Sequence, residues 1–503
     1  MRTFVLTTFS RTKPLTTAIP ALHDRALLRE AIYVGGDWLR PAGGSIEVTN
    51  PATGELVGRV PKAGRDETLA AIRAASSALP QWSARTAKER AAILRRWHDL
   101  IVASVDDLAR ILTAEQGKPL AEARAEILYG AAFFEWFAEE AKRVYGELIP
   151  APAHDRRLMV MRQPIGVCAA ITPWNFPMAM IPRKAAPALA AGCTMVLKPA
   201  SATPLSALAL AELGHRAGLP AGVFNVVAGD SRTVGNELVA NPDVRKVTFT
   251  GSTEVGRELM ARAAGTIKKV SLELGGNAPV LVFDDADIPT AVAGAMATKF
   301  RNMGQTCVCA NRIYVQEGIY DAFVEAFCAA VRRLRVGDGS QPDIEQGPLI
   351  DEAAVQKTVE HIADAVKLGA TVLVGGERHS LGRTFFQPTV IANATGDMRV
   401  AHEETFGPLA PIFSFKTEQE AIAHANRTEF GLAAYFFTRD NARIWRVSEA
   451  LEFGVIGVNT GNTSYEGAPF GGLKASGIGR EGSHLGIDEF LETKYVCVAG
   501  VAH

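Results

Sequence analysis

The chain has 503 residues, 48% of them apolar and 21% charged, and a formal net charge of -1. That length implies two or more domains with a large core, and the charge balance excludes a bulk field that would favour nucleic acid or an anionic membrane surface. Six cysteines, Cys168, Cys193, Cys307, Cys309, Cys328 and Cys497, are too few for a disulfide framework and point to a reducing compartment.

Residues 1–30 are rich in Arg, Thr and Ser, with Asp24 the one acid before Glu30. Pro14 and Pro20 interrupt any long amphipathic helix. The expectation is a loose N-terminal arm on a cytoplasmic protein; a mitochondrial transit peptide is the alternative. Gly35-Gly36-Asp37-Trp38 and Asn50-Pro51-Ala52-Thr53-Gly54 read as turns between short strands. Helices are expected over 66–78, 86–102, 105–115 and 120–142. The second carries Ile93, Leu94, Trp97, Leu100 and Ile101 at helical spacing. Residues 145–164 break that pattern and read as an excursion of extended strands.

From Gly166 a strand–helix rhythm sets in. Strands are expected at 167–171, 194–198, 223–227 and 244–250, with helices at 178–191, 203–217, 232–240 and 252–264. Such alternation implies an α/β fold with a doubly wound parallel sheet, which binds ligands beyond the carboxyl ends of its strands. A second series runs from 279 to about 477 and ends in Pro469-Phe470-Gly471-Gly472-Leu473-Lys474. The tail, 491–498, alternates like a strand. It would pair with the 145–164 excursion or extend a sheet in a partner subunit. No apolar run is long and pure enough to span a bilayer, and no Cys/His array has zinc spacing, so neither membrane nor metal is expected.

Chemistry-bearing residues fall at the ends of these strands. Thr250-Gly251-Ser252-Thr253-Glu254-Val255-Gly256 follows a strand and opens a helix, where glycines and a helix N-terminus suit a phosphate. An ordinary strand-to-helix turn fits the same residues. Asn175, in Thr172-Pro173-Trp174-Asn175-Phe176-Pro177, is held between prolines as an oxyanion donor or is simply a turn asparagine. Lys198, before Pro199-Ala200-Ser201, meets an adenosine ribose or is solvated. Glu273 is an acid inside an apolar strand, where burial raises a carboxyl toward the range of a general base; pairing with an arginine is the alternative. Cys307, in Gly304-Gln305-Thr306-Cys307, sits between a helix (288–300, Asp287 as N-cap) and a strand (312–316). Alone it reads as a buried core thiol.

Taken together, Pro-Trp-Asn-Phe-Pro at 173–177, Leu-Glu-Leu-Gly-Gly at 272–276, Gly-Gln-Thr-Cys at 304–307 and Glu-Glu-Thr-Phe-Gly-Pro at 403–408 resemble the NAD(P)-dependent aldehyde dehydrogenase superfamily. Lys299-Phe300-Arg301-Asn302, residues 305–312 and Phe470-Gly471-Gly472-Leu473-Lys474-Ala475-Ser476-Gly477 are similar to its succinate-semialdehyde branch. The resemblance covers nearly everything after residue 30. It implies a Rossmann-type cofactor domain (31–142 and 165–275), a catalytic domain (276–478) and a small β oligomerisation arm (143–164 and 479–503) in a homodimer or homotetramer.

The resemblance further implies that Cys307 attacks the aldehyde, that Asn175 stabilises the oxyanion, and that Glu273 activates the water that releases the acid. Cofactor contacts are implied at Thr172, Pro173, Trp174, Lys198, Ala200, Ser201, Gly229, Thr250, Gly251, Ser252, Val255, Leu274, Glu404 and Phe406. Ser201 stands where an acid would repel a 2′-phosphate, so NADP is expected to serve at least as well as NAD. Arg183 and Arg301, with Ser464, match the positions that clamp a distal carboxylate; an internal salt bridge is the alternative for either arginine. Asn462 and Thr463 depart from the branch and make the pocket mouth more polar, which leaves glutarate semialdehyde or a substituted semialdehyde open. Cys309 stands where relatives can close a disulfide with the nucleophile; a packed core thiol is the alternative. A CoA-acylating enzyme of this fold would lack Glu273, and a non-catalytic scaffold would be expected to lose Cys307 or Glu273.

Overall fold

The computed structural model describes residues 22–501. Its first sheet has eight strands in the order Asp37–Leu39, Ile32–Val34, Phe224–Val226, Thr194–Lys198, Val167–Ile171, Val244–Thr250, Lys269–Glu273 and Gly477–Ile478. The five strands from Phe224–Val226 to Lys269–Glu273 run parallel, and the flanking ones antiparallel. Val167–Ile171 and Thr194–Lys198 are buried along their whole length. Strands covered on both faces need no polar alternation, which is why they read as continuous apolar runs. The chain builds outward from Val167–Ile171 on one side and then returns to its other side with Val244–Thr250. The order therefore reverses between those two strands, and a crevice opens beyond their carboxyl ends.

The second sheet has seven strands, Thr371–Val374, Thr389–Ala392, Leu409–Phe415, Ala310–Gln316, Ala278–Val282, Ala433–Phe437 and Val455–Val458. All but the first pair are parallel. The tail, Leu491–Ala499, pairs antiparallel with Arg156–Pro164 over nine residues, and Glu147–Ile149 adds a third strand. The expected pairing of tail with excursion thus occurs within one chain.

Several expectations shift. The helix placed at 178–191 begins at Pro182, which suits a first helical position because its missing N–H would have no partner there. Residues 178–181 are turns instead, with the Met178 and Ala179 N–H groups donating to the buried Glu126 carboxylate. The helix from Leu120 stops at Glu140 and tightens to a 3-10 turn, Ala141–Arg143.

Residues 22–30, expected as part of a loose arm, are packed against the fold. Leu27 is fully buried, the His23 and Asp24 N–H groups donate to Asp107, and Arg29 pairs with Glu212. Residues 1–21, which carry the rest of the arm and transit-peptide expectations, lie outside the described residues. Gly477–Ile478, placed in sequence with the catalytic domain, closes the edge of the first sheet. Ile487, Phe490 and Leu491 also join the first core.

Candidate active site

The loop that carries Cys307 is conformationally forced. After the helix Ile288–Phe300, capped by the Asp287 side chain, Asn302, Met303 and Gly304 have φ of 51°, 57° and 74°. Left-handed backbone costs a non-glycine residue on the order of 1–3 kcal/mol and persists where surroundings over-determine it. Here the Asn302 N–H donates to Glu122 (2.9 Å), its Oδ1 accepts from Gln116 (3.0 Å), and its Nδ2 donates to the Asn175 carbonyl (3.0 Å). The Gln305 amide ties back to the Asn302 carbonyl and accepts from the Ile350 N–H. A Cβ on Gly304 would collide with the Gly407 carbonyl oxygen, so only glycine closes this turn.

Cys307 is presented where two cavities meet. One, of about 240 Å³, holds Arg183, Arg301 and Ser464 in its wall. The other, of about 270 Å³, holds Asn175, Glu273, Leu274, Glu404 and Phe406. Pro173, Trp174, Thr250, Gly251 and Ser252 line this second cavity and also a third, of about 820 Å³, that reaches Thr172, Lys198, Ala200, Ser201 and Val255. Together they form a groove along the carboxyl ends of the first sheet. Gly229 is the exception among the expected cofactor positions. It stands behind the wall, bridging to Ala63 and accepting from Ser201 Oγ (3.3 Å) through its carbonyl.

Glu273 is buried at the end of its strand, and among the described residues neither carboxylate oxygen has a hydrogen-bond partner. Burial drives its pKa up, and the Arg183 charge only tempers the rise. The expected alternative, an acid tied into an arginine ion pair, is not what forms. Burial pushes the Cys307 thiol well up as well, with the Glu273 charge adding to it and Arg183 opposing. Asn175 spends one amide hydrogen on the Gln305 carbonyl (2.9 Å) and keeps the other.

Arg183 forms an ion pair with Glu481 (Nε to Oε2, 2.7 Å) and lies 4.1 Å from the Phe470 ring centre, while among the described residues neither its Nε nor its Nη2 has a hydrogen-bond partner. The internal ion pair is thus real but uses only part of the guanidinium. Burial alone would weaken the Arg183 charge; Glu481 more than restores it. Arg301 packs over Phe176 at 5.3 Å and has no carboxylate partner among the described residues. Cys309 is fully buried, and both it and Cys307 are free thiols.

The groove suits a dinucleotide. Lys198 is buried, among the described residues its Nζ hydrogen-bonds only Ser231 Oγ (2.7 Å), and burial lowers its pKa to about 8, with Asp230 opposing. Thr172 Oγ1 is buried and has no partner among the described residues. The helix Thr253–Ala263 points its Ser252-capped N-terminus at the groove, as a phosphate would require. Glu404 accepts from the Gly276 N–H (3.0 Å), and burial raises its pKa to about 7. Phe406, at φ 56°, meets Trp174 edge-on at 5.7 Å.

A model of the aldehyde dehydrogenase family matches residues 38–496. The chain belongs to this family. The NADP(+) succinate-semialdehyde dehydrogenase GabD of Escherichia coli (strain K12) is 63% identical over 478 residues, covering 95% of this chain and 99% of that protein. The glutarate-semialdehyde dehydrogenase of Pseudomonas aeruginosa is 62% identical over 481 residues, covering 95% of this chain and 100% of that protein. The crystal structure of succinate-semialdehyde dehydrogenase from Burkholderia pseudomallei superposes with a TM-score of 0.95. It shares 59% identity and covers 95% of this chain and 100% of that one.

This aldehyde dehydrogenase also builds its site from residues the sequence did not flag. Lys357 joins the wall beside Glu404, and Ser231 and Arg232 join the Lys198 cavity. Glu481 reaches Arg183 and Lys184, and Lys184 Nζ also meets Thr250 Oγ1 (2.6 Å). Lys118 and Glu126 form a buried pair (2.5 Å), with Lys118 also donating to the Asn175 carbonyl (2.8 Å). Lys184 carried one usable signal, a second basic residue beside Arg183 in an otherwise apolar helix. The others sit far apart in sequence and left none.

Proposed function

We propose that this enzyme oxidises aldehydes carrying a distal carboxylate, succinate semialdehyde foremost, with NADP serving at least as well as NAD. The observation that carries the reading is the Cys307 cavity. It holds two guanidiniums, Arg183 with a free Nη2 and Arg301 with no carboxylate partner among the described residues. Buried donors without partners are costly and are satisfied by an anion. The printed names of the relatives agree in substrate type: one acts on succinate semialdehyde with NADP(+), the other on glutarate semialdehyde. The second substrate is a specific rival, because Asn462 adds a polar group to the cavity wall beside Ser464.

The chemistry follows from the groups in place. Cys307 gives its proton to solvent, and the thiolate bonds the aldehyde carbon. The free Asn175 amide hydrogen and the Cys307 N–H receive the developing oxyanion. Lys198, Ser201, Thr172, Glu404 and the helix at Ser252 would hold the cofactor. When bound, its oxidised nicotinamide supplies the hydride acceptor that turns the thiohemiacetal into a thioester. Glu273 then removes a proton from water, and the acid leaves.

A panel of semialdehydes run with both cofactors, read as growth of reduced-nicotinamide absorbance, tests this reading. Succinate semialdehyde with NADP should give the highest kcat/KM. A tenfold or greater advantage for NAD would refute the cofactor assignment. A second readout is pH. Lys198 bears its charge below about 8 and loses it above, so the KM for NADP should climb above pH 8 while that for NAD stays nearly flat. Equal pH profiles would remove Lys198 from phosphate binding.

The arm carries the proposal of a homo-oligomer. Its three strands leave Leu148 81% and Tyr495 59% exposed, with Ile149, Met161 and Val498 beside them. Light scattering should return a dimer or tetramer mass. Asp substitutions at Leu148 and Tyr495 should lower it; an unchanged monomer mass in both proteins defeats the idea.

A further inference from the structure

Lys299, at the end of the helix Ile288–Phe300, is fully buried. Among the described residues its Nζ makes two side-chain contacts, with Cys309 Sγ at 3.2 Å and Asn311 Oδ1 at 3.3 Å, and no ion pair with a carboxylate. The Asn311 Nδ2 beside it is itself buried without a partner. Cys309 Sγ turns further into the same place, 3.6 Å from the Lys299 carbonyl oxygen. A primary amine and a thiol are therefore held at contact distance, in a dry site, two residues from the nucleophile. A cation so buried normally has a carboxylate partner. Here its neighbour is a thiol, which peroxide can oxidise.

From this contact we propose that Lys299 and Cys309 form a reversible sulfur–nitrogen cross-link when the enzyme meets peroxide. Hydrogen peroxide, entering by the cavity lined by Cys307 and Val308, oxidises Cys309 by two electrons. An S–O bond forms, the O–O bond breaks, and water leaves, giving the sulfenic acid. Lys299 gives one ammonium proton to solvent, and its amine then attacks that sulfur. The S–N bond forms, the S–O bond breaks, and the hydroxyl departs as water with one amine proton, leaving a sulfenamide. Sulfenic acids are known to condense with nitrogen in this way. A dithiol reverses it. The first thiol displaces the amine and forms a mixed disulfide, and the second frees Cys309. The link ties the nucleophile loop to the end of its helix and keeps Cys309 from irreversible oxidation. It also differs from the Cys307–Cys309 disulfide expected from the sequence, which would require Cys309 to give up Lys299.

Peptide mapping of the full-length enzyme separates these outcomes. Trypsin cuts after Arg301 and Arg312, so residues 299 and 309 fall in different peptides. After peroxide and alkylation of remaining thiols, the expected product joins peptide 270–301 to peptide 302–312. Its mass is lower by two hydrogens, cleavage at Lys299 is lost, and dithiothreitol reverses the change. Cys309→Ser should abolish it, and Cys307→Ser should not. Any of three results in wild type overturns the proposal: a Cys307–Cys309 disulfide within peptide 302–312, Cys309 carried to the sulfinic acid without a link, or Cys309 unmodified while Cys307 is oxidised.

Discussion

Glu273→Gln should leave one stoichiometric burst of reduced nicotinamide per active site and slow steady-state turnover by about 10²–10⁴-fold, the usual worth of a positioned general base. Glutamine keeps the shape of Glu273 but cannot take a proton from water, so the acyl group stays on Cys307. The geometry singles this residue out because both its oxygens are buried and unpartnered, and it faces the thiol. Rapid mixing reads the burst. Full steady-state turnover, or a lost burst with normal thioester hydrolysis, would sink the assignment.

The same substitution should stabilise the protein. Glu273 has a folded pKa raised above 4.5 by burial. Its contribution to stability is present below about 4.5 and is lost as pH rises through the raised value. The Tm advantage of Glu273→Gln should therefore grow from pH 5 to pH 8. Thermal melts showing a constant difference would mean the carboxyl is not desolvated. Activity should rise over the same interval, since only the ionised form is a base; function here opposes stability.

Arg301→Ala should lower kcat/KM for succinate semialdehyde by about 10–100-fold, the loss of a charge-assisted hydrogen bond worth roughly 1.5–3 kcal/mol. Butanal, which has no distal carboxylate, should change less than about threefold. Equal losses on both aldehydes would assign Arg301 to the fold instead. Arg301 is the cleaner probe because it lies against Phe176 without a carboxylate partner. Arg183→Ala would also strand Glu481 with Lys184 alone, so its loss of activity would be mixed with loss of stability. The double variant Arg183→Ala/Arg301→Ala should raise the succinate-semialdehyde KM further; an unchanged KM would remove both residues from carboxylate recognition.

The sequence by itself determined the parts of this enzyme that depend on local physics. Fully apolar strands such as Val167–Ile171 could only be buried in a parallel sheet. The Asp287 and Ser252 caps set helix starts, and the order of four motifs, through the family they resemble, named the candidates for nucleophile, base and oxyanion donor. Strand-end placement put Asn175 and residues 250–252 beyond the carboxyl ends of the first sheet's strands. The tertiary structure decided what depends on distant partners. Burial of Glu273 without a hydrogen bond is a property of every element packed around it. That Arg183 shares its guanidinium with Glu481, nearly three hundred positions later, cannot be read from either neighbourhood. Residues 22–30 looked like a loose tail because the side chains that anchor them, Asp107 and Glu212, are remote. Cys309, two residues from the nucleophile in sequence, was matched there to Cys307; in space its sulfur meets Lys299.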